Sequence, residues 1–345
     1  MKHIALPDGR QRRLVFYLAM EEYIAKHLDE LLPDCESGQR EVFFLWQVPP
    51  TVIFGRNQVI EAEVNISYCK EHGINMFRRK SGGGCVYSDY GNIMLSCISD
   101  STEVAFTFDR FLQRLALALR RLGLDAARSG RNDVLVGGRK VSGNAFFLQP
   151  KSSIVHGTLL FDTDFDALTK AITPSEAKIK SKGVESVRQH VTNIKEELEA
   201  VGRTELTEIE KFKDFIIRSF CEEGDSLVLD GDSIRRIEEI EMTYLEPDFI
   251  AGRRHGRAVI RKTVVPGVGE VSAEVELDGG SIVSCSVSGD FFPLKEGLSA
   301  VLSERLKGVE NNRDKVAEAL SGLRTGEYVM NLEPWMLVNL ICDNR

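Results

Sequence analysis

No two cysteines in this chain are spaced as CxxC, and the seven present (Cys35, Cys69, Cys85, Cys97, Cys221, Cys285 and Cys342) are odd in number and scattered. A zinc knuckle and a disulfide framework are both excluded by that pattern, which predicts reduced thiols. Net positive charge is missing as well: 44 Lys and Arg against 52 Asp and Glu leave −8 at pH 7. A general nucleic-acid binder needs a basic footprint, so that class is set aside. No apolar run is long enough to cross a bilayer. The opening MKHIALPDGRQRR has no apolar stretch followed by a small-residue cleavage site, so no secretory signal is expected. These absences predict a cytoplasmic protein with neither a nucleic-acid nor a membrane partner. Internal repeats and low-complexity tracts are absent too.

The chain has 345 residues, 43% hydrophobic and 28% charged, enough for a larger and a smaller domain. Residues 12–30 put Leu14, Leu18, Ile24 and Leu28 at helical spacing, with Glu21, Glu22 and Lys26 elsewhere on the wheel, the pattern of an amphipathic helix. EVFFLWQV (41–48) and TVIFG (51–55) read as strands parted by Pro49-Pro50. INMFRRK (74–80) and NIMLSCIS (92–99) read as strands on either side of a glycine-rich loop. Residues 103–122 recover helical periodicity and stop at Gly123. Gly137-Gly138 marks a hairpin, residues 152–162 a further strand, and 204–223 a helix. Residues 270–290 form a ribbon turning at Asp278-Gly279-Gly280, and two helices follow, so a small ββαα domain is expected from about residue 252. Antiparallel strands mixed with helices predict an α+β fold rather than a doubly wound sheet.

The segment RRKSGGGCVYSDYGN (78–92) sets three basic side chains against three glycines. It is neither a P-loop, lacking a GxxxxGK[ST] spacing, nor GxGxxG, and it opens a strand rather than a helix. Bare backbone of this kind lets an anion or a long, flat apolar chain lie against main-chain N–H groups. Arg79 has the planar fork that pairs phosphate or carboxylate oxygens. On composition alone, Arg78, Arg79 and Lys80 read equally as a solvated charge run, and Lys140 as a solvated hairpin lysine.

Five stretches decide between these readings: TVIFGRNQ, RRKSGGGCVYSDYGN, SGRNDVLVGGRKVSGNAFF, HGTLLFD and KGVESVRQHVTN. In order and approximate spacing they resemble the lipoate-protein ligase A family, from about residue 10 to 200 and more weakly beyond. The resemblance implies a large biotin/lipoate ligase-like catalytic domain with mixed and antiparallel sheets and flanking helices (1–246), a hinge (247–256) and a small α+β accessory domain (257–345).

It further implies that ATP activates lipoate to lipoyl-AMP and that the lipoyl group then passes to a lysine of an acceptor, either the glycine cleavage H protein or a 2-oxoacid dehydrogenase E2 lipoyl domain. Lys140 would be the catalytic cation, touching both substrates. Arg79, Gly84, Cys85, Val86, Tyr87 and Lys140 would border the nucleotide, and Ser81, Gly82, Gly83 and Lys140 the lipoate. Asp133 would orient Mg²⁺. Basic residues Arg78, Lys178, Lys180 and Lys182 would steer an acidic acceptor, or simply be solvated. One departure stands out: many relatives have histidine where this chain has Ser88.

Two other readings share this fold. A lipoyl or octanoyl transferase would use preformed lipoyl-AMP or an acyl-carrier donor, and its thioester form needs a thiol downstream of the lysine, where no cysteine occurs between Cys97 and Cys221. A non-catalytic lipoate-binding paralogue is the third.

Overall fold

The structure, a computed structural model, describes residues 1–130, 132–172, 190–221, 224, 226–251 and 259–342. Lys178, Lys180, Lys182, the second half of the expected hinge and most of KGVESVRQHVTN lie outside the described residues.

Strands β1 (Lys2–Ala5) and β2 (Glu41–Trp46) belong to a large sheet, whereas β3 (Thr51–Phe54), β4 (Asn75–Arg78) and β5 (Val86–Ser88) make a separate small one in the order β4-β3-β5. Pro49-Pro50 therefore carries the chain from one sheet to the other. The large sheet continues with β6 (Asn92–Ser99), β7 (Ala126–Ser129), β8 (Asp133–Val136), β9 (Arg139–Gln149), β10 (Ser152–Leu160) and β11 (Leu227–Val228). Its order is β11-β1-β2-β6-β10-β9-β8-β7. β1 runs parallel to β2 and β11 and the other pairs are antiparallel, which makes the sheet mixed.

Neighbouring strand residues point to opposite faces, and here each face finds a core. Phe43, Leu95, Cys97 and Val155 pack on one face, while Phe44, Ile98 and Ile154 pack under α1 (Leu14–Lys26) on the other. The first face is covered by α2 (Val104–Arg121) and α3 (Ile209–Phe220), the second by α1 and then α4 (Gly231–Leu245). Each fully buried Leu or Phe contributes about 1.5–3 kcal/mol.

Helix α1 corrects the amphipathic expectation: 12 of its 13 residues are buried, Glu21 and Glu22 among them. α4 covers the face that the wheel leaves to solvent, and both acids are tolerated because each has buried partners.

After the short α5 (Pro247–Ala251), β12 (Val259–Val265), β13 (Gly269–Asp278) and β14 (Ser281–Gly289) form an antiparallel meander. The β13–β14 turn takes positive φ at Gly279 and Gly280. Helices α6 (Leu298–Leu306), α7 (Arg313–Ala319) and α8 (Pro334–Ile341) complete a C-terminal unit with its own core. The expected ββαα thus gains a strand and a helix.

The two units dock through main chain, charge and the Phe292 ring, which joins the core under β9. Gly289 N donates to Asn57 O at 2.8 Å and Gly83 N to Phe291 O at 3.3 Å, and Arg56 meets Glu296 at 2.7 Å.

Candidate active site

Lys140 is the second residue of β9, just past Gly137-Gly138, both at positive φ, the requirement of a tight two-residue hairpin. A register shift between Val134 and Leu135 then sets Asp133 opposite Gly143 and Leu135 opposite Lys140. Lys140 Nζ lies 2.8 Å from Asp133 Oδ1, with both side chains about one-third exposed. Gly143 faces the end of this lysine, and a Cβ there would stand 2.8 Å from Nζ, so a larger residue would make the flexible side chain shift. Asn132 and Asn144 brace the bulge: Asn132 Nδ2 donates to Asn144 O at 2.8 Å, and Asn144 Nδ2 to Asn132 O at 3.0 Å.

Beside the pair is a narrow cavity of about 110 Å³. Its walls bring together Arg79, Gly83, Gly84, Cys85, Val86 and Lys140 from the sequence-derived set. Leu18, Trp46, Ile53, Met94 and His156 add an apolar and aromatic surface that the motifs alone did not identify. A wider cleft of about 420 Å³ between the two units carries neither Lys140 nor the glycines on its walls.

Ser81, Gly82 and Tyr87 are placed elsewhere. Tyr87 is buried in the small-sheet core, and burial pushes its phenol above the ordinary range. Gly82 faces the C-terminal unit, where a Cβ would run into the Phe291 carbonyl and the Pro293 ring. Ser81, 1% exposed, sits behind the cavity wall.

A chain of hydrogen bonds that converges on Glu21 explains Ser81. Arg79 Nε donates to Ser81 Oγ at 3.0 Å, and Ser81 Oγ lies 2.7 Å from His156 Nε2. His156 Nδ1 lies 2.8 Å from Glu21 Oε2, whose other oxygen accepts from Ser96 Oγ at 2.5 Å. Trp46 Nε1 donates to Ser96 Oγ at 2.9 Å. With Glu21 as acceptor, His156 donates from Nδ1, and its Nε2 shares a hydrogen bond with the Ser81 hydroxyl. The serine–histidine–carboxylate order is that of a nucleophile relay. Ser81 is buried behind the wall, however, so the chain fixes the loop instead of presenting a nucleophile.

Arg79 is fully enclosed, and burial draws its guanidinium down to about 10. Its fork is spent on the loop: Nη2 donates to the Gly82 and Gly84 carbonyls at 2.7 Å each, and Nη1 to Ile53 O at 3.2 Å. In this conformation Arg79 shapes the glycine turn. Arg78 departs further from the surface role. It is 3% exposed and donates to the carbonyls of Gly55, Arg56, Gln58, Ile250 and Ala251. Ser88, also buried, directs its hydroxyl to Met94 Sδ at 3.5 Å.

Comparison with known proteins follows this geometry. Residues 14–221 match the lipoyl protein ligase A/B catalytic domain and residues 259–341 the bacterial lipoate protein ligase C-terminus. Lipoate-protein ligase LplJ of Bacillus subtilis (strain 168) is 34% identical over 333 residues, covering 94% of this chain and 95% of LplJ. In fold the chain is similar to P. falciparum LipL1 solved in complex with lipoate (TM-score 0.68, 20% identity, 99% of this chain and 97% of that one). It also resembles lipoate-protein ligase A bound with ATP (TM-score 0.59, 24% identity, 73% and 98%). A bi-partite lipoate protein ligase from Thermoplasma acidophilum, studied with its E2 lipoyl domain, gives TM-score 0.60 at 24% identity over 74% and 98%. A catalytic-domain match spanning residues 14–221 and end-to-end similarity at 34% identity lead to one conclusion: this chain belongs to the lipoate-protein ligase family.

Proposed function

We propose that the protein is an ATP-dependent lipoate-protein ligase acting in two steps. A lipoate carboxylate oxygen attacks the α-phosphorus of ATP, the bond to pyrophosphate breaks, and lipoyl-AMP forms. The amine of an acceptor lysine then attacks the acyl carbonyl, AMP leaves with the bonding electrons, and the amine gives up a proton as the amide forms. The observation that carries this reading is Lys140, held at 2.8 Å by Asp133 on the wall of a narrow, largely apolar cavity under a glycine loop.

The chemistry requires that combination. Carboxylate and α-phosphate repel one another, and a compact ammonium between them offsets the charge that accumulates in the transition state. The cavity's apolar wall suits the lipoyl chain, with Gly83 letting it pass close to main chain and Gly84, Cys85 and Val86 bordering the nucleotide. Arg79 meets phosphate in this reading by exchanging one of its loop carbonyls for a phosphate oxygen.

Magnesium fits as a companion of the nucleotide. Among the described residues no three His, Cys, Asp or Glu side chains gather into a cage, and Asp133 offers one carboxylate beside Lys140. Mg²⁺ commonly takes one or two carboxylates and completes its shell with phosphate and water. When bound it would neutralise phosphate charge.

Lipoyl domains of 2-oxoacid dehydrogenase E2 subunits, or the glycine cleavage H protein, are the acceptors of this reading. Domain limits of 1–246 and 257–345, joined by a 247–256 linker, belong to it as well, as does a cytoplasmic location. Among the described residues no helix is long and apolar enough to cross a membrane. A second route, in which the acyl group passes through a thioester without ATP, lacks the downstream thiol and would have to use Cys85 on the cavity wall.

Lipoate-dependent ATP–pyrophosphate exchange separates the two without any acceptor. Wild type is expected to exchange and Lys140→Ala to lose about 10²–10³-fold in rate. No exchange by folded wild type, with acyl transfer from a thioester donor abolished by Cys85→Ala, would replace the ligase by the transferase.

A further inference from the structure

Lys80 follows Arg79 in the basic cluster, and the ligase chemistry above leaves it without a task. Its side chain turns inward, 21% exposed, and Nζ lies 2.8 Å from Glu22 Oε1, a side chain 6% exposed. The same ammonium stands 4.3 Å from the centroid of the Tyr244 ring and donates to Thr243 Oγ1 at 3.3 Å. Tyr244, buried in α4, donates its hydroxyl to the same Glu22 oxygen. Burial, with Glu22 alongside, holds that phenol well above its ordinary range, so it stays a donor.

One residue away, Glu21 holds Ser81 through His156. Consecutive carboxylates of α1 therefore hold consecutive residues of the loop. Arg78 adds a third tie on the other flank of Arg79, to the carbonyls of Ile250 and Ala251 at 3.2 Å.

A desolvated ion pair is weak evidence for stability, because hydrophobic residues of similar volume often do as well or better. What such a pair supplies is a fixed position. The position matters here: Gly83 and Gly84 follow at once, and their main chain lines the cavity. Glycines do not resist displacement by themselves.

We propose that Lys80 is a positioning residue for acyl adenylation: paired with Glu22 and capped by Tyr244, it holds the glycine loop at the spacing the bound substrates need. The proposal rests on the ligase reading for its chemistry, and on the geometry alone for the tether.

Four variants test it: Lys80→Met, Glu22→Gln, the double variant and Lys80→Arg. Lys80→Met strands a buried carboxylate and is expected to melt at lower temperature. The double variant removes both charges and is expected to recover most of that melting temperature. Its lipoate-dependent exchange kcat is nonetheless expected to stay about 10-fold or more below wild type. The amides of residues 81–86 are expected to lose hydrogen-exchange protection in the double variant, while Lys80→Arg keeps both protection and rate within a few-fold. A double variant with wild-type kcat, or with wild-type protection of 81–86, overturns the proposal, since the pair would then serve stability alone. If wild type itself shows no exchange, the ligase reading fails, and protection of 81–86 decides the tether: lost in the double variant it stands, unchanged it falls.

Discussion

The ring of Phe292, from the C-terminal domain, lies 5.1 Å centroid to centroid from Phe146, six residues along β9 from Lys140. Phe291, its neighbour in sequence, belongs to the other core. Two adjacent aromatic side chains therefore rivet two hydrophobic cores, and the Phe291 carbonyl between them accepts from Gly83 N at 3.3 Å.

Phe292→Ala should empty a site that is 1% exposed and packed against Phe108 and Phe146. A loss of about 3–5 kcal/mol is expected for a buried Phe-to-Ala change. Urea unfolding checks it: a midpoint unchanged from wild type would show that Phe292 bridges nothing.

Gly82 and Gly83 are expected to respond differently to alanine. Gly82→Ala pushes on the Phe291 carbonyl and on Pro293, outside the cavity, so docking suffers first. Gly83 has φ of +91° and lines the cavity, so Gly83→Ala strains the loop itself. We expect Gly82→Ala to lose about 1–3 kcal/mol of stability with the lipoate dissociation constant little changed. Gly83→Ala should weaken lipoate binding. Calorimetric melting beside lipoate titration reads both, and weaker lipoate binding by Gly82→Ala than by Gly83→Ala would reverse the assignment.

Much of this was legible in the letters. The strand NIMLSCIS is buried at all eight positions and falls at the expected residues, because a mostly apolar run of eight between turn residues has few alternatives. Gly137-Gly138 placed the hairpin that carries Lys140, since positive φ at both residues is a local requirement. What remained hidden was relational. α4, GDSIRRIEEIEMTYL, reads as a charged surface segment, yet Ile237, Glu241 and Tyr244 cover α1 and bury Glu22. No local pattern distinguishes a lysine that tethers a loop from one in water, so Lys80 looked solvated. Trp46 lacked a signal for the same reason, and His156, although it opens the HGTLLFD motif, carried no assigned role: each becomes a site residue through partners on other strands and helices.

Ser88 is enclosed and bonded to Met94, a residue of the cavity wall. Ser88→Ala removes one weak O–H···S contact and should leave exchange within about twofold, in line with the modest worth of such bonds. Ser88→His, the residue that the family resemblance leads one to expect there, should overpack the site at a cost of about 1–3 kcal/mol. Steady-state exchange and melting curves on the pair decide it. A stable, faster Ser88→His enzyme would mean that the cavity wall had room for an imidazole.

Asp89 gives a pH dependence whose sign can be worked out. Its carboxylate is 8% exposed and ties the loop exit to the segment after β10, accepting from Gly91 N and Asp164 N at 2.9 Å each. Burial, outweighing these bonds, raises its pKa in the fold above the ordinary 3.8. Between 3.8 and the raised value the folded protein holds more of this proton than the unfolded chain, so stability falls as pH rises through that window. The contribution is complete below 3.8 and gone once both states are ionised. Carboxylates shifted the other way, such as Asp8 and Asp230, add an opposite slope to the raw curve. Asp89→Asn cannot titrate there, and subtracting its unfolding free energy from that of wild type cancels those groups. The difference is expected to decline as pH rises above 3.8 and to level off once Asp89 is ionised in the fold as well. A difference that grew with pH would mean that the two backbone donors outweigh burial, and that Asp89 is held as an anion by the loop it anchors.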